Sequence, residues 1–209
     1  VRGRDPLSAT IQSKLIDSDI FKHVDQLCTS GSGDPFASSL FWSLIDHLHS
    51  NDYPRLRLSI QSNGILLTEK NLVRLGAYNS RIDILSISID GASPDTYAQN
   101  RRGGDWEVLM NNLANIVRRN IFIQLNMIVQ QNNYREMPAF VRLARSFSAN
   151  RVYLSALENW GTYDDADFQR RAVHLPNHPE HEDLLRVLDD DNLQDPNFIT
   201  MGCLPKRTP

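Results

Sequence analysis

Cysteine is scarce in this 209-residue chain: Cys28 and Cys203 alone cannot build a disulfide framework, a four-cysteine zinc site or a complete iron–sulfur cluster. So low a thiol count suits a reducing compartment, and the expected location is cytoplasmic. Long apolar runs are missing as well. None approaches the roughly 20 residues that cross a bilayer, so no membrane partner is expected. A surplus of positive charge is also lacking: 22 Lys and Arg stand against 25 Asp and Glu, for a formal net charge of -3. That balance gives no general attraction to nucleic acid, and Arg101-Arg102, Arg118-Arg119 and Arg170-Arg171 are local patches only. No Ser-His-Asp set, P-loop or dinucleotide fingerprint occurs. The chain opens on Val1-Arg2-Gly3-Arg4 without an initiator Met, and it is expected to be a fragment of a longer protein.

What is present is an ordinary globular composition, 41% apolar and 22% charged, arranged as alternating strand and helix patterns. Asp5-Pro6 is a helix start, with Leu7, Ile11, Leu15 and Ile16 near helical spacing. A strand follows at 26–30, in which Cys28 reads as a small buried hydrophobe. Asp34-Pro35 opens a helix with Leu40, Phe41, Leu44, Ile45 and Leu48 on one face. Strands at 56–60, 82–89, 121–129 and 152–157 are separated by helices capped at Thr68, Ser93 and Asp105, and by a capping box at Asn133-Tyr134-Arg135-Glu136. Connections this long exclude tight hairpins and predict parallel strands with right-handed crossovers. After Asn159 the pattern decays. The expected organisation is therefore a core over 1–160 and a partly irregular extension over 161–209.

Four motifs close successive strands: Gly31-Ser32-Gly33-Asp34-Pro35, Gln61-Ser62-Asn63-Gly64, Ser88-Ile89-Asp90-Gly91 and Asn126-Met127-Ile128-Val129. Ligands of α/β sheets and barrels sit at the carboxyl ends of strands, so this placement describes a site. Asp34 is either an acceptor for a cationic ligand or the cap of the following helix, and Asp90 either meets a ligand or only shapes its turn. Gln124, Asn126 and Gln130 share a strand face and need partners, from a ligand or from each other. Trp160, in Asn159-Trp160-Gly161, reads first as core and second as part of a ligand wall. His174, His178 and His181 have helix-like spacing, but Pro176 and Pro179 interrupt any such helix, so no metal site is expected there.

Taken in order, with Thr96-Tyr97 and Arg101-Arg102-Gly103-Gly104 after the third motif, these strings resemble the radical S-adenosylmethionine (SAM) superfamily, in its peptide- and protein-modifying, SPASM-like branch. Gly31 to Pro35 resembles the GGEP motif that receives the SAM ammonium, with Ser-Gly-Asp in place of Gly-Gly-Glu. Gln61 to Leu67 resembles TNGxLL, and Leu85 to Gly104 resembles the SxDG…TY…RxG stretch. The resemblance implies a partial (β/α)6 TIM-like barrel of parallel strands with outer helices, its first strand missing together with the CxxxCxxC cluster motif. It implies SAM contacts from Ser32, Gly33, Asp34, Gln61, Asn63, Ser88, Asp90, Arg101, Asn126 and Val129, with Arg101 clamping the SAM carboxylate. The implied cofactors are SAM and, in the full-length parent, a 4Fe-4S cluster. The implied chemistry is a 5′-deoxyadenosyl radical that takes hydrogen from a small-molecule or peptide substrate, with an electron donor as partner. The fragment alone is expected to be inactive. The alternative is a degenerate barrel serving as a binding or scaffold module.

Overall fold

The computed structural model describes residues 6–30, 33–51 and 53–205. Its centre is one six-stranded sheet in which β1 (Gln26–Thr29), β2 (Arg57–Ser62), β3 (Ile82–Ser88), β4 (Ile123–Val129), β5 (Arg151–Ala156) and β6 (Ile199–Gly202) lie side by side in chain order. Every adjacent pair is parallel. Monotonic order with right-handed crossovers sends every connection to the same face, which is the construction of a barrel wall rather than of a doubly wound sheet.

The residue alternation agrees. One parity of each strand is apolar and sealed: Leu58 and Ile60, Leu85 and Ile87, Leu125 and Met127, Val152 and Leu154 are all 0–1% exposed. These join a single core with Ile45 and Leu48 of α2 (Ser39–Ser50), Leu72 and Leu75 of α3 (Glu69–Leu75), Leu109 and Leu113 of α5 (Trp106–Ile116), and Phe140 and Val141 of α6 (Met137–Ser146). The other parity carries two lateral rows, Gln61–Ser86–Gln124 and Ser88–Asn126–Tyr153, and at its ends Ser59 pairs with Ile84 and Ser155 with Ile128. A helix-covered apolar face and a hydroxyl-and-amide face thus share each strand by the two-residue period.

The helices start where local chemistry allows. Ser38, Thr68, Ser93 and Asp105 accept hydrogen bonds from first-turn amides of α2, α3, α4 (Pro94–Asn100) and α5. Asp34-Pro35 opens only a short 3-10 turn, Pro35–Ala37, before Ser38 restarts the chain as α2. The chain leads in through α1 (Pro6–Asp17), and its last segment holds α7 (Asp165–Arg171), α8 (His181–Leu188) and β6. The segment after 160 therefore adds a strand to the sheet, beyond the strands expected from the sequence.

Three expectations are corrected. Cys28 is exposed, not buried, because β1 is an edge strand and Cys28 lies in register with Ser59 of β2, on the polar parity. The capping box at 133–136 does not form: Asn133 Oδ1 accepts from Gln130 N, while its Nδ2 donates to the carbonyls of Asp90 and Ile128. Glu136 instead accepts from Ala92 N, Ser93 Oγ and Thr96 Oγ1, stapling the start of α4 to the β4–α6 connection. Trp160 is 86% exposed, held on a turn in which Asn159 accepts from Gly161 N and Tyr163 N.

Candidate functional site

The carboxyl rim of β1–β3 is assembled from short-range devices. Gly33 has φ +104, open to glycine and strained for other residues. It delivers Asp34 to a position where Oδ1 accepts from Phe36 N (3.0 Å) and Oδ2 accepts from Ser62 Oγ (2.6 Å) and Asn63 N (2.8 Å). Asp34 is thus both the cap of its own turn and the tie between the ends of β1 and β2. The shorter acid suits this double task, since Asp reaches back to a backbone amide two residues on.

The turn after β2 is fixed from the other side as well. Asn112 Nδ2 on α5 donates to the carbonyls of Gly64 and Ile65, each at 2.9 Å. Gly64 has φ +83, and a Cβ there would lie 2.4 Å from Leu109 Cδ1. Only glycine lets the strand end pack so closely on α5.

At the end of β3, Ser88 is 7% exposed and its Oγ accepts from Gln61 Nε2 at 3.5 Å. Asp90 follows with φ +61 and is itself 7% exposed. Its Oδ1 accepts from Ile128 N (2.7 Å), its Oδ2 pairs with Arg101 Nη2 (2.6 Å), and its carbonyl accepts from Asn100 Nδ2 (2.7 Å) and Asn133 Nδ2 (3.0 Å). Burial pushes the Asp90 carboxyl above the ordinary carboxylate range, opposed by the Arg101 guanidinium and the Ile128 amide. The strained backbone and the buried acid together hold the arginine at the strand ends. Arg101 keeps an Nε–H that is buried without a hydrogen-bond partner among the described residues.

These devices converge. Gly33, Asp34, Gln61, Ser62, Asn63, Ser88 and Arg101 line one cavity of about 220 Å³. Asp34, Asn63 and Arg101 are also walls of a second, adjoining cavity of about 600 Å³ that runs out over Tyr97 and the 101–104 turn. Among the residues expected at a site, Ser32 lies outside the described residues. Asp90 stands behind Arg101 rather than on the cavity wall. Asn126 is the register partner of Ser88, and its Oδ1 accepts from Gln124 Nε2. Val129 is sealed in the core at 0% exposure with its carbonyl taken by Leu157 N, so its side chain is not brought to the cavity. Ser62 is the cavity residue that sequence reasoning passed over. The signal was its place inside the Gln-Ser-Asn-Gly turn, where a hydroxyl bridges Asp34 and Gly64 N.

Among the described residues no group of three His, Cys, Asp or Glu is placed to hold a metal ion. His178 Nε2 lies 3.0 Å from the Arg170 carbonyl and His181 Nδ1 lies 3.3 Å from that of Val173. Cys28 on β1 and Cys203 just after β6 are at opposite edges of the sheet. Burial, with the neighbouring His181, pushes the His174 imidazole below its ordinary value.

A family model for the radical SAM superfamily matches residues 14–144, more than half of the chain. No curated protein matches in sequence. In fold the chain is similar to TYW1 solved with a lysine-pyruvate adduct (TM-score 0.56, 18% identity, 88% of this chain and 63% of that one). It is likewise similar to SuiB from Streptococcus suis bound to the precursor peptide SuiA (TM-score 0.62, 14% identity, 94% and 42%). A third likeness is to anSMEcpe with bound AdoMet and the Kp18Cys peptide (TM-score 0.55, 15% identity, 80% and 49%). The chain thus spans less than two thirds of each of these proteins. With its profile match covering the strands that build the cavity, the chain belongs to the radical SAM superfamily.

Proposed function

We propose that this chain is the SAM-holding portion of a radical SAM iron–sulfur enzyme. The observation that carries this reading is the convergence of Gly33, Asp34, Gln61, Ser62, Asn63, Ser88 and Arg101 on one cavity at the carboxyl rim. The donor set suits an amino-acid end of a nucleoside. A carboxylate has about four lone-pair positions, and Asp34 has three engaged, so it still accepts from an ammonium. Arg101, fixed by Asp90 on one edge, turns its remaining N–H groups, the unpartnered Nε among its donors, to a carboxylate. Gln61, Asn63 and Ser88 supply neutral hydrogen bonds for ribose hydroxyls.

Bound at a reduced four-iron four-sulfur cluster, SAM supplies a 5′-deoxyadenosyl radical for hydrogen abstraction. The residues of this chain do not fit the cluster itself, since Cys28 and Cys203 are fewer than the three closely spaced thiolates it needs. Its ligands belong to the full-length parent, outside this chain, and an electron donor reduces it there. The chain alone is inactive, and its parent acts on a small molecule or a peptide in the cytoplasm. No helix among the described residues is long and apolar enough to cross a membrane.

Calorimetric titration of SAM into the reconstituted full-length protein tests the assignment. Arg101→Ala is expected to weaken binding by about tenfold, the worth of one charge-assisted carboxylate contact, and the remote Arg118→Ala to leave it alone. Equal effects would reject Arg101 as the clamp. Retained SAM binding with no 5′-deoxyadenosine after dithionite reduction would favour the scaffold reading instead.

A further inference from the structure

The second cavity, about 600 Å³, is larger than the one assigned to SAM and shares Asp34, Asn63 and Arg101 with it as walls. Its outer wall is the turn Arg101 to Gly104, closed by the Gly104 N to Arg101 O hydrogen bond at 2.9 Å. Two glycines give this wall its shape. Gly103 has φ +77, and a Cβ on Gly104 would collide with the hydroxyl end of Tyr97, so Gly104 packs directly against that side chain. On the other side Ile65 and Leu66 supply an apolar flank.

The charges on this wall are unequal. Asp34 already accepts three hydrogen bonds, and Arg101 is balanced by Asp90 at 2.6 Å. Asp105, just beyond the turn, caps α5 through Val108 N. Arg102 lines the cavity, is exposed, and forms no ion pair with any described residue. One planar cation without an ion partner among the described residues therefore lines a pocket with an apolar flank, in the size range of small-molecule sites.

We propose that this compartment receives a carboxylate-bearing, otherwise apolar part of the substrate, with Arg102 as its recognition residue. The guanidinium fork of Arg102 matches a carboxylate by two parallel hydrogen bonds. Ile65 and Leu66 cover the apolar part attached to it. The assignment to substrate rests on the neighbouring cavity being the SAM site, whereas carboxylate binding itself does not.

Calorimetric titration of the full-length protein with hexanoate as the probe, beside hexanamide, inorganic phosphate and SAM, tests this. Hexanoate is expected to bind, and Arg102→Gln to weaken it by about tenfold, as does replacing the probe with hexanamide, because each removes one charge-assisted contact. Arg118→Gln should leave hexanoate binding unchanged, and Arg102→Gln should leave SAM binding unchanged. Equal hexanoate binding by wild type and Arg102→Gln, phosphate binding as tightly as hexanoate, or no hexanoate binding to wild type would each overturn the proposal. Normal hexanoate behaviour with no SAM binding would instead overturn the cofactor reading and leave the carboxylate site standing.

Discussion

The carboxyl rim of β1–β3 and the elements from Arg135 onward are held by different physics. At β1–β3 a few charged groups are drawn inward and tied across elements: Asp34 joins two strand ends, and Asp90 joins β4 to Arg101. From Arg135 onward, the helices and the last segment are tied as well by ion pairs nearer the surface. Arg135 reaches Glu180 and Asp183, Arg145 reaches Asp195, and Arg170 and Arg171 share Asp167. Buried polar links fix geometry because breaking one strands a desolvated group, whereas exposed pairs are screened by water and add little. The region that needs a shaped cavity uses the first kind. Substitutions in the two regions should therefore differ in size.

The largest effect is expected from Gly64→Ala. The new methyl meets Leu109 Cδ1 at 2.4 Å and Ile87 Cγ2 at 3.0 Å, at a φ of +83. Strain and overpacking together should cost about 3 kcal/mol in a urea melt, and a loss under half of that would show the β2 turn to be softer than its packing implies. Arg101→Ala should follow at about 2 kcal/mol at neutral pH, discounted from a fully buried pair because the arginine side chain is 29% exposed.

Its pH dependence carries the sign of the Asp90 shift. Burial already lifts the folded carboxyl above the ordinary carboxylate range, and without its guanidinium it rises further. The variant's deficit should be widest near neutral pH, where Asp90 must stay charged in the folded state. It should shrink as pH falls through the raised folded value toward about 4, because protonation then favours the folded form. Adding Asp90→Asn to Arg101→Ala should recover part of the loss at neutral pH, since Asn keeps an acceptor for Ile128 N and tolerates positive φ. A pH-independent deficit would mean that Asp90 is not the group left unpaired.

Asp34→Asn should cost about 1.5 kcal/mol by denaturant melt, because a carboxamide turns one N–H toward donors. Ser62 can rotate its hydroxyl to accept, but Asn63 N cannot. A neutral effect would mean that the tie between β1 and β2 is replaceable by water.

The same contrast explains what could be read from residues alone. Strand parity was legible, because an apolar face against helices imposes a two-residue period, and caps such as Thr68 and Ser93 act on their own first turns. The cavity was legible through its motifs, since local chemistry and tertiary role coincide at Asp34, Asn63 and Ser88. Asn133 and Glu136 misled because they had a good local task and a better distant one: three donors at the start of α4 outcompete one backbone amide. β6 was hidden by its length of four residues after Asp195-Pro196, too few for alternation to stand out. Trp160 gave no local sign of exposure, since its position is set by the Asn159 turn.

The smallest effect is expected from Arg145→Ala. This arginine pairs with Asp195 at 2.7 Å with both side chains well exposed, 48% and 39%, and lies 4.3 Å over the Phe198 ring. If ion pairs held the last segment in place, losing this one would loosen β6. The segment has other anchors: Val152 N donates to Phe198 O, four β5–β6 register pairs follow, and Leu193, Ile199 and Leu204 are buried. The expected cost is about 0.5 kcal/mol, and hydrogen exchange at the β6 amides should quicken by less than about threefold. Exchange faster by two orders of magnitude or more would place the surface charges among the main supports of β6, and the two regions would no longer differ in kind.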